Sequence, residues 1–174
     1  LDDRDCMVDI ARYFLTFTQS QSCGRCTFCR VGTRRMLDLL DRLCAGQGAA
    51  GDIERLEELA HAVAGASLCG LGRTAPNPVL STLRYFRDEY EAHLRGECPA
   101  GKCRGLIAYA VSDTCIGCTR CAQVCPAGAI PFTPHARHTI DDAACVRCDM
   151  CRTACPTGAI RIVTGKGRER QCPR

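Results

Sequence analysis

The sequence predicts an α+β chain in two parts: a small helical bundle, then a compact unit of two short strands built around cysteine loops. Three observations carry that prediction. Apolar residues recur at helical spacing through the first half, a cysteine pattern occurs twice in the second half, and seventeen of the 174 residues are cysteine. With 46% apolar content, neither part can bury a large core, so something besides hydrophobic burial must hold the chain together.

The helices come first. Residues 6–19 place Met7, Ile10, Phe14 and Phe17 near one face, and residues 31–44 do the same with Met36, Leu39, Leu40 and Leu43. Gly46, Gly48 and Gly51 stop the second helix, and Asp52 is placed to cap a third whose stripe is Ile53, Leu56, Leu59, Ala60 and Val63. A fourth opens after Pro76 and Pro78, runs through Leu80, Leu83, Phe86 and Tyr90 to Leu94, and ends at Gly96. Past a loop from Cys98 to Cys103, residues 106–111 read as a strand, and residues 160–163 read as its partner. The predicted divisions are a helical bundle at 1–97, a linker with a possible zinc loop at 98–105, the strand unit at 106–164 and a flexible Gly- and Arg-rich tail at 165–174.

The cysteines read as ligands rather than disulfides. Their number is odd, and most fall in runs with two-residue gaps, which converge thiolates on a metal and poorly suit bridging of neighbours. That usage points to a reducing, cytoplasmic compartment. No apolar stretch is long enough to span a membrane, and no charged-then-apolar leader opens the chain. It starts at Leu1, directly before a helical pattern, and reads as a piece of a longer polypeptide. The net charge is +4, with ten Lys or Arg against five Asp or Glu from Arg104 onward. Such a mild excess, with few aromatics for stacking, argues against a nucleic-acid partner. It reads as a solvated basic face that offsets negatively charged groups.

The repeat is the most specific feature. CIGCTRCAQVCPAGAI from Cys115 and CVRCDMCRTACPTGAI from Cys145 each hold three cysteines at two-residue gaps and a fourth before proline. This is the bacterial ferredoxin run, in which the fourth cysteine serves the other cluster. One [4Fe-4S] cluster is therefore expected on Cys115, Cys118, Cys121 and Cys155, and another on Cys125, Cys145, Cys148 and Cys151. The second unit is thus expected to be a bacterial 2[4Fe-4S] ferredoxin-like domain. Zinc ribbons also use such cysteine pairs but do not call for two Cys-Pro endings. Gly117, Gly128 and Gly158 give the backbone room to pass close to the clusters.

The helical half has its own run at Cys23, Cys26 and Cys29, with no Cys-Pro after it. Cys69, in a glycine loop between two helices, is the best fourth ligand for a third [4Fe-4S] cluster; zinc on the same four is the competing reading. Five cysteines remain. Cys44 falls on the apolar side of its helix and reads as a core residue, and Cys172 in the tail reads as a free thiol. Cys98 and Cys103 flank a four-residue turn, His93 sits at the end of the preceding helix, and Cys6 opens the first helix. If that first helix packs antiparallel to the last, these four form a structural zinc site.

SCGRCTFCRVGT, SLCGLG and APNPVLSTLRYFRDEYEAHL together resemble the C-terminal part of the FMN- and NADH-binding subunit of respiratory complex I. With the ferredoxin repeat and the CPAGKC loop, the chain is more similar still to the beta subunit of NAD(P)-reducing and electron-bifurcating [FeFe]-hydrogenases. The resemblance implies single-electron relay between a flavin and partner subunits of a multisubunit NAD(P)-linked hydrogenase. It also implies a hydrogenase catalytic subunit, a small [2Fe-2S] subunit and soluble ferredoxin as partners. FMN and NAD(P) are expected in a preceding part of such a protein. No segment here resembles that flavin domain, so no catalytic residue is assigned and the chain alone is expected to catalyse nothing. The diaphorase subunit of an NAD-dependent formate dehydrogenase is the alternative within the same class. A structural metal-binding module is the alternative outside it.

Overall fold

The computed structural model describes residues 5–165. Cys172 and residues 166–174 of the expected flexible tail lie outside them. The chain divides into two compact units between Leu106 and Ile107.

The first unit is helical. Helix α1 spans Met7–Ser20, α2 Thr33–Cys44, α3 Asp52–Ala66, α4 Gly70–Thr74, α5 Asn77–Tyr85 and α6 Arg87–Leu94, with a π-helical turn at Phe28–Gly32 leading into α2. Helix α1 packs on α2 and α5, and α3 packs on α2 and on the π-helical turn. Their shared core holds Val8, Leu15, Met36, Leu40, Leu43, Leu56, Val63 and Tyr90.

Three local expectations differ from the fold. Helix α1 turns Val8, Ala11 and Leu15 inward and leaves Phe14 and Phe17 46% and 60% exposed. Both stripes have helical spacing, but the one inside is slimmer and lets α1 approach two neighbouring helices. The expected long fourth helix is two helices, interrupted at Phe86 with φ −136° and ψ 38°. A hydrogen bond of 2.7 Å between the Thr82 hydroxyl and the Tyr90 phenol spans the break. Asp52 is not a cap: it is the first residue of α3, behind Gly51 at φ 87°. Its buried carboxylate accepts from the Ala49 N–H at 2.8 Å and from Arg42 at 2.7 Å, tying the α2–α3 loop together.

The loop from Cys98 to Cys103 lies in this unit, and Cys98, Cys103 and Leu106 join its core. Gly96, at φ 80°, turns the chain out of α6 towards it.

In the second unit, β1 (Ile107–Val111) pairs antiparallel with β2 (Ile160–Thr164), placing Val111 opposite Ile160. A two-stranded sheet alone is marginal in water. Here it shares a core with the cysteine loops: Tyr109, Val111, Ile130 and Ile160 pack with Cys121 and Cys151. The two copies of the repeat each carry a short helix, α7 (Arg120–Gln123) and α8 (Met150–Ala154). Their loops also share backbone geometry, with positive φ at Gly117 and Thr119 in one and at Arg147 and Asp149 in the other. No helix among the described residues is long and apolar enough to cross a membrane.

Candidate metal and cluster centres

Four side chains from three places in the sequence meet inside the first unit. Cys6 precedes α1, His93 lies in the last turn of α6, and Cys98 and Cys103 close the following loop. Their ligand atoms lie within 4.8 Å of one another and all four residues are buried. Cys6 Sγ is 3.3 Å from His93 Nε2 and 3.7 Å from Cys103 Sγ, and His93 Nε2 is 3.3 Å from Cys103 Sγ. A tetrahedral zinc with its usual bond lengths separates ligand atoms by about 3.5–3.8 Å. The spacing fits one four-coordinate ion and is too tight for a cube of four irons. His93 Nδ1 donates to the Glu89 carbonyl at 2.7 Å, which turns the Nε2 lone pair towards the sulfurs. Cys98 Sγ accepts the N–H groups of Lys102 and Cys103 at 3.4 and 3.5 Å.

The electrostatics follow from crowding. Burial alone would lower the His93 pKa, but the Cys6 and Cys98 sulfurs outweigh it and push the imidazole up to about 10. Cys98 is held down by hydrogen bonds from Cys103 and Cys6. Cys103 is pushed up by Cys44, Cys6 and Cys98 and by its burial. These groups share protons that a bound cation displaces. Cys44, read from sequence as a core residue, is buried and also sits against Cys103. Its position in a helical stripe gave no sign of that second contact.

At the opposite end of α2, the π-helical turn carries Cys29, which is buried, while Cys23 and Cys69 are exposed and Cys26 is intermediate. The Ser22 hydroxyl lies 3.3 Å from Cys29 Sγ, and Arg30 reaches back to the Gly24 carbonyl at 3.1 Å. The loop bearing Cys69 folds over this turn through Gly72. A Cβ at Gly72 would stand 2.6 Å from Ser67 Cβ and 3.2 Å from Cys29 Cβ, so only glycine permits the approach. Ser67 Oγ is buried there without a partner among the described residues.

In the second unit, a pocket is lined by Cys125, Cys145, Cys148 and Cys151, with Tyr109, Ile130, Ile140 and Val146 as its apolar wall. Cys125, from the first repeat, therefore faces the three cysteines of the second. Burial, and then the neighbouring Cys145, Cys148 and Cys125, push the Cys151 thiol up to about 11. Cys121 is likewise raised by burial and by Cys115 and Cys118. Burial raises Cys155, but the Thr157 hydroxyl and the N–H groups of Ala159, Thr157 and Ile160 outweigh it, and its thiol is lowered. Such donors stabilise a thiolate ligand. The sequence reading missed His138, which is 1% exposed with Nδ1 3.6 Å from Cys115 Sγ and Nε2 unpartnered among the described residues. It lies between the repeats at no characteristic spacing, so no sequence pattern marks it. The two buried side-chain polar atoms that lack a partner among the described residues, Ser67 Oγ and His138 Nε2, thus both belong to side chains beside the cysteine loops.

Comparison with known proteins agrees with this division. Residues 9–93 match the NADH-ubiquinone oxidoreductase-F iron-sulfur binding region, and residues 108–162 match the 4Fe-4S dicluster domain. The chain is 44% identical over 140 residues to the NADP-reducing hydrogenase subunit HndC of Solidesulfovibrio fructosivorans, covering 79% of this chain and 29% of that protein. It is 40% identical over 99 residues to a subunit of the NADH-quinone oxidoreductase of Streptomyces coelicolor, covering 56% of this chain and 22% of that one. Among solved structures, it is similar to an NAD+-reducing [NiFe]-hydrogenase crystallised in the H2-reduced state, with a TM-score of 0.52 and 39% identity over 54% of this chain and 16% of that chain. The chain thus spans less than a third of the length of these relatives.

Proposed function

Because this chain joins an NADH-ubiquinone oxidoreductase-F iron-sulfur binding region to a 4Fe-4S dicluster domain, we propose that it is the electron-relay module of a multisubunit NAD(P)-linked hydrogenase. The observation that carries the relay is the pocket where Cys125 joins Cys145, Cys148 and Cys151, a ligand set drawn from both repeats. Hydrogenase is favoured over an NADH-quinone oxidoreductase because the match to the NADP-reducing hydrogenase protein runs through 79% of the chain, against 56% for the Streptomyces coelicolor relative.

In this reading three [4Fe-4S] clusters are held by Cys23, Cys26, Cys29 and Cys69; by Cys115, Cys118, Cys121 and Cys155; and by Cys125, Cys145, Cys148 and Cys151. When bound, such clusters store and release single electrons with little rearrangement. The residues around them set how easily that happens. Ile130, Ile140 and Tyr109 form the apolar side of the Cys125 set, and in the other set the Ala159 N–H donates to Cys155 Sγ at 3.3 Å, which favours its thiolate. Zinc on Cys6, His93, Cys98 and Cys103 plays a purely structural part, locking the start of α1 to the end of α6 and the loop after it. Electrons pass between a flavin held outside this segment, together with its NAD(P) site, and partners: a hydrogenase catalytic subunit, a small [2Fe-2S] subunit or a soluble ferredoxin. A reducing cytoplasm suits a chain whose cysteines serve as ligands rather than disulfides.

Anaerobic reconstitution tests the reading. It should give about twelve iron and twelve sulfide per chain, visible absorbance that dithionite bleaches, and about one zinc. A colourless protein loaded only with zinc would overturn the relay. Hydrogenase subunits should copurify with the chain from its native source.

A further inference from the structure

The two ferredoxin-type loops are alike in backbone but not in surroundings. Over the first loop lie residues 133–138, and several bonds hold them there. The His135 N–H donates to the Gly117 carbonyl at 3.1 Å. Arg137 binds both the Val111 carbonyl and the Asp113 carboxylate. Gly117 makes the close approach possible, since a Cβ there would come within 2.7 Å of the His135 and Ala136 backbone. The result is that His138 is 1% exposed, with Nδ1 3.6 Å from Cys115 Sγ. The second repeat offers no equivalent histidine, since none occurs from Cys145 onward.

The tautomer follows from chemistry. A ligating Cys115 is a thiolate, so Nδ1 facing it must carry the proton; a bare lone pair there would be repelled. Nε2 is then left as an unpaired acceptor, consistent with its having no partner among the described residues, and an orphan acceptor is less costly than an orphan N–H. A donated hydrogen bond stabilises a cysteine sulfur more as the cluster gains negative charge, so it favours the reduced form.

We propose that His138 donates from Nδ1 to Cys115 Sγ and holds the cluster on Cys115, Cys118, Cys121 and Cys155 at a higher potential than its neighbour. This gives the pair a direction: an electron entering at the cluster on Cys125, Cys145, Cys148 and Cys151 moves downhill to the other. The proposal rests on the two-cluster assignment above, and His138 acts through Cys115 as a positioning residue.

Potentiometric titration of the full, reconstituted chain, followed by EPR, tests it. His138→Leu should lower one of the two ferredoxin-type potentials and leave the other in place. His138→Asn, whose amide nitrogen falls near the Nδ1 position, should restore most of the shift. Unchanged potentials in the Leu variant, or equal shifts in both variants, would overturn the proposal. Should the Leu variant lose iron, the unsubstituted protein decides. Labelled with 15N-histidine and reduced, it should show nitrogen coupling to one ferredoxin-type signal in pulsed EPR, and absence of coupling would overturn the proposal. Fewer than about eight iron in the ferredoxin unit of the unsubstituted protein would instead refute the two-cluster assignment.

Discussion

His93 donates its Nδ1 proton to the Glu89 carbonyl one helical turn back, at 2.7 Å, and this aims Nε2 at Cys6 and Cys103, each 3.3 Å away. A helix thus orients its own candidate metal ligand. His93→Gln and Cys98→Ser should each bring zinc from about one per chain to near zero and lower the melting temperature, while ferredoxin iron stays unchanged. Full zinc retention in either variant, read by plasma emission, would remove that residue from the ligand set.

The helical cluster and the ferredoxin pair should be separable. Cys69→Ala should take iron from about twelve to about eight per chain and leave the ferredoxin-type EPR signals intact. Loss of those signals instead would show that the three ligand sets are wrongly divided.

The proposed crossing of ligands between repeats gives a sharper test. Cys125→Ala should disturb the cluster bound by Cys145, Cys148 and Cys151 and leave the one that senses His138. If Cys125→Ala abolished the histidine coupling instead, each repeat would be keeping its own fourth cysteine.

Two glycines with nearly the same backbone should differ in cost. Gly117 (φ 68°) faces the His135 and Ala136 backbone at 2.7 Å from an added Cβ, whereas Gly128 (φ 62°) faces open space. Gly128→Ala should cost about 1 kcal/mol from conformation alone, and Gly117→Ala should cost at least about 2 kcal/mol more, because backbone must move. Equal urea midpoints would show that the loop over Gly117 yields freely.

How much of this was legible beforehand depended on whether chemistry or packing decided it. The strand pair and the helical stripes of α2 and α3 follow from spacing and residue type, which the sequence displays, whereas the nearness of Cys6 to His93, Cys98 and Cys103 also requires α1 to begin beside the end of α6. The face of α1 does not: Val8, Ala11 and Leu15 compete with Ile10, Phe14 and Phe17 at the same period, and only the neighbours α2 and α5 choose between them. The break at Phe86 was hidden for a similar reason, since Leu83 and Tyr90 stay buried on either side of it. His138 and Ser67 were invisible because a single polar residue in a loop acquires its partner only through the fold.

That break also yields a prediction about one buried hydrogen bond. The Thr82 hydroxyl donates to the Pro78 carbonyl at 2.8 Å and so accepts the Tyr90 phenol at 2.7 Å. Tyr90→Phe leaves Thr82 satisfied and should cost about 1 kcal/mol. Thr82→Val strands a fully buried phenolic O–H and should cost about 1–3 kcal/mol, the larger loss despite the smaller change. Burial holds the Tyr90 pKa above its ordinary value, with the Thr82 hydrogen bond opposing only in part. A raised acid keeps its proton longer in the folded state than in the unfolded one. Its contribution is therefore complete below about pH 10 and is lost as pH rises further. Tyr90→Phe should be less stable than the unsubstituted protein near neutrality and lose less stability between about pH 10 and 11. Denaturant melts of both proteins across that window check this, and parallel curves would show that Tyr90 ionises as freely folded as unfolded.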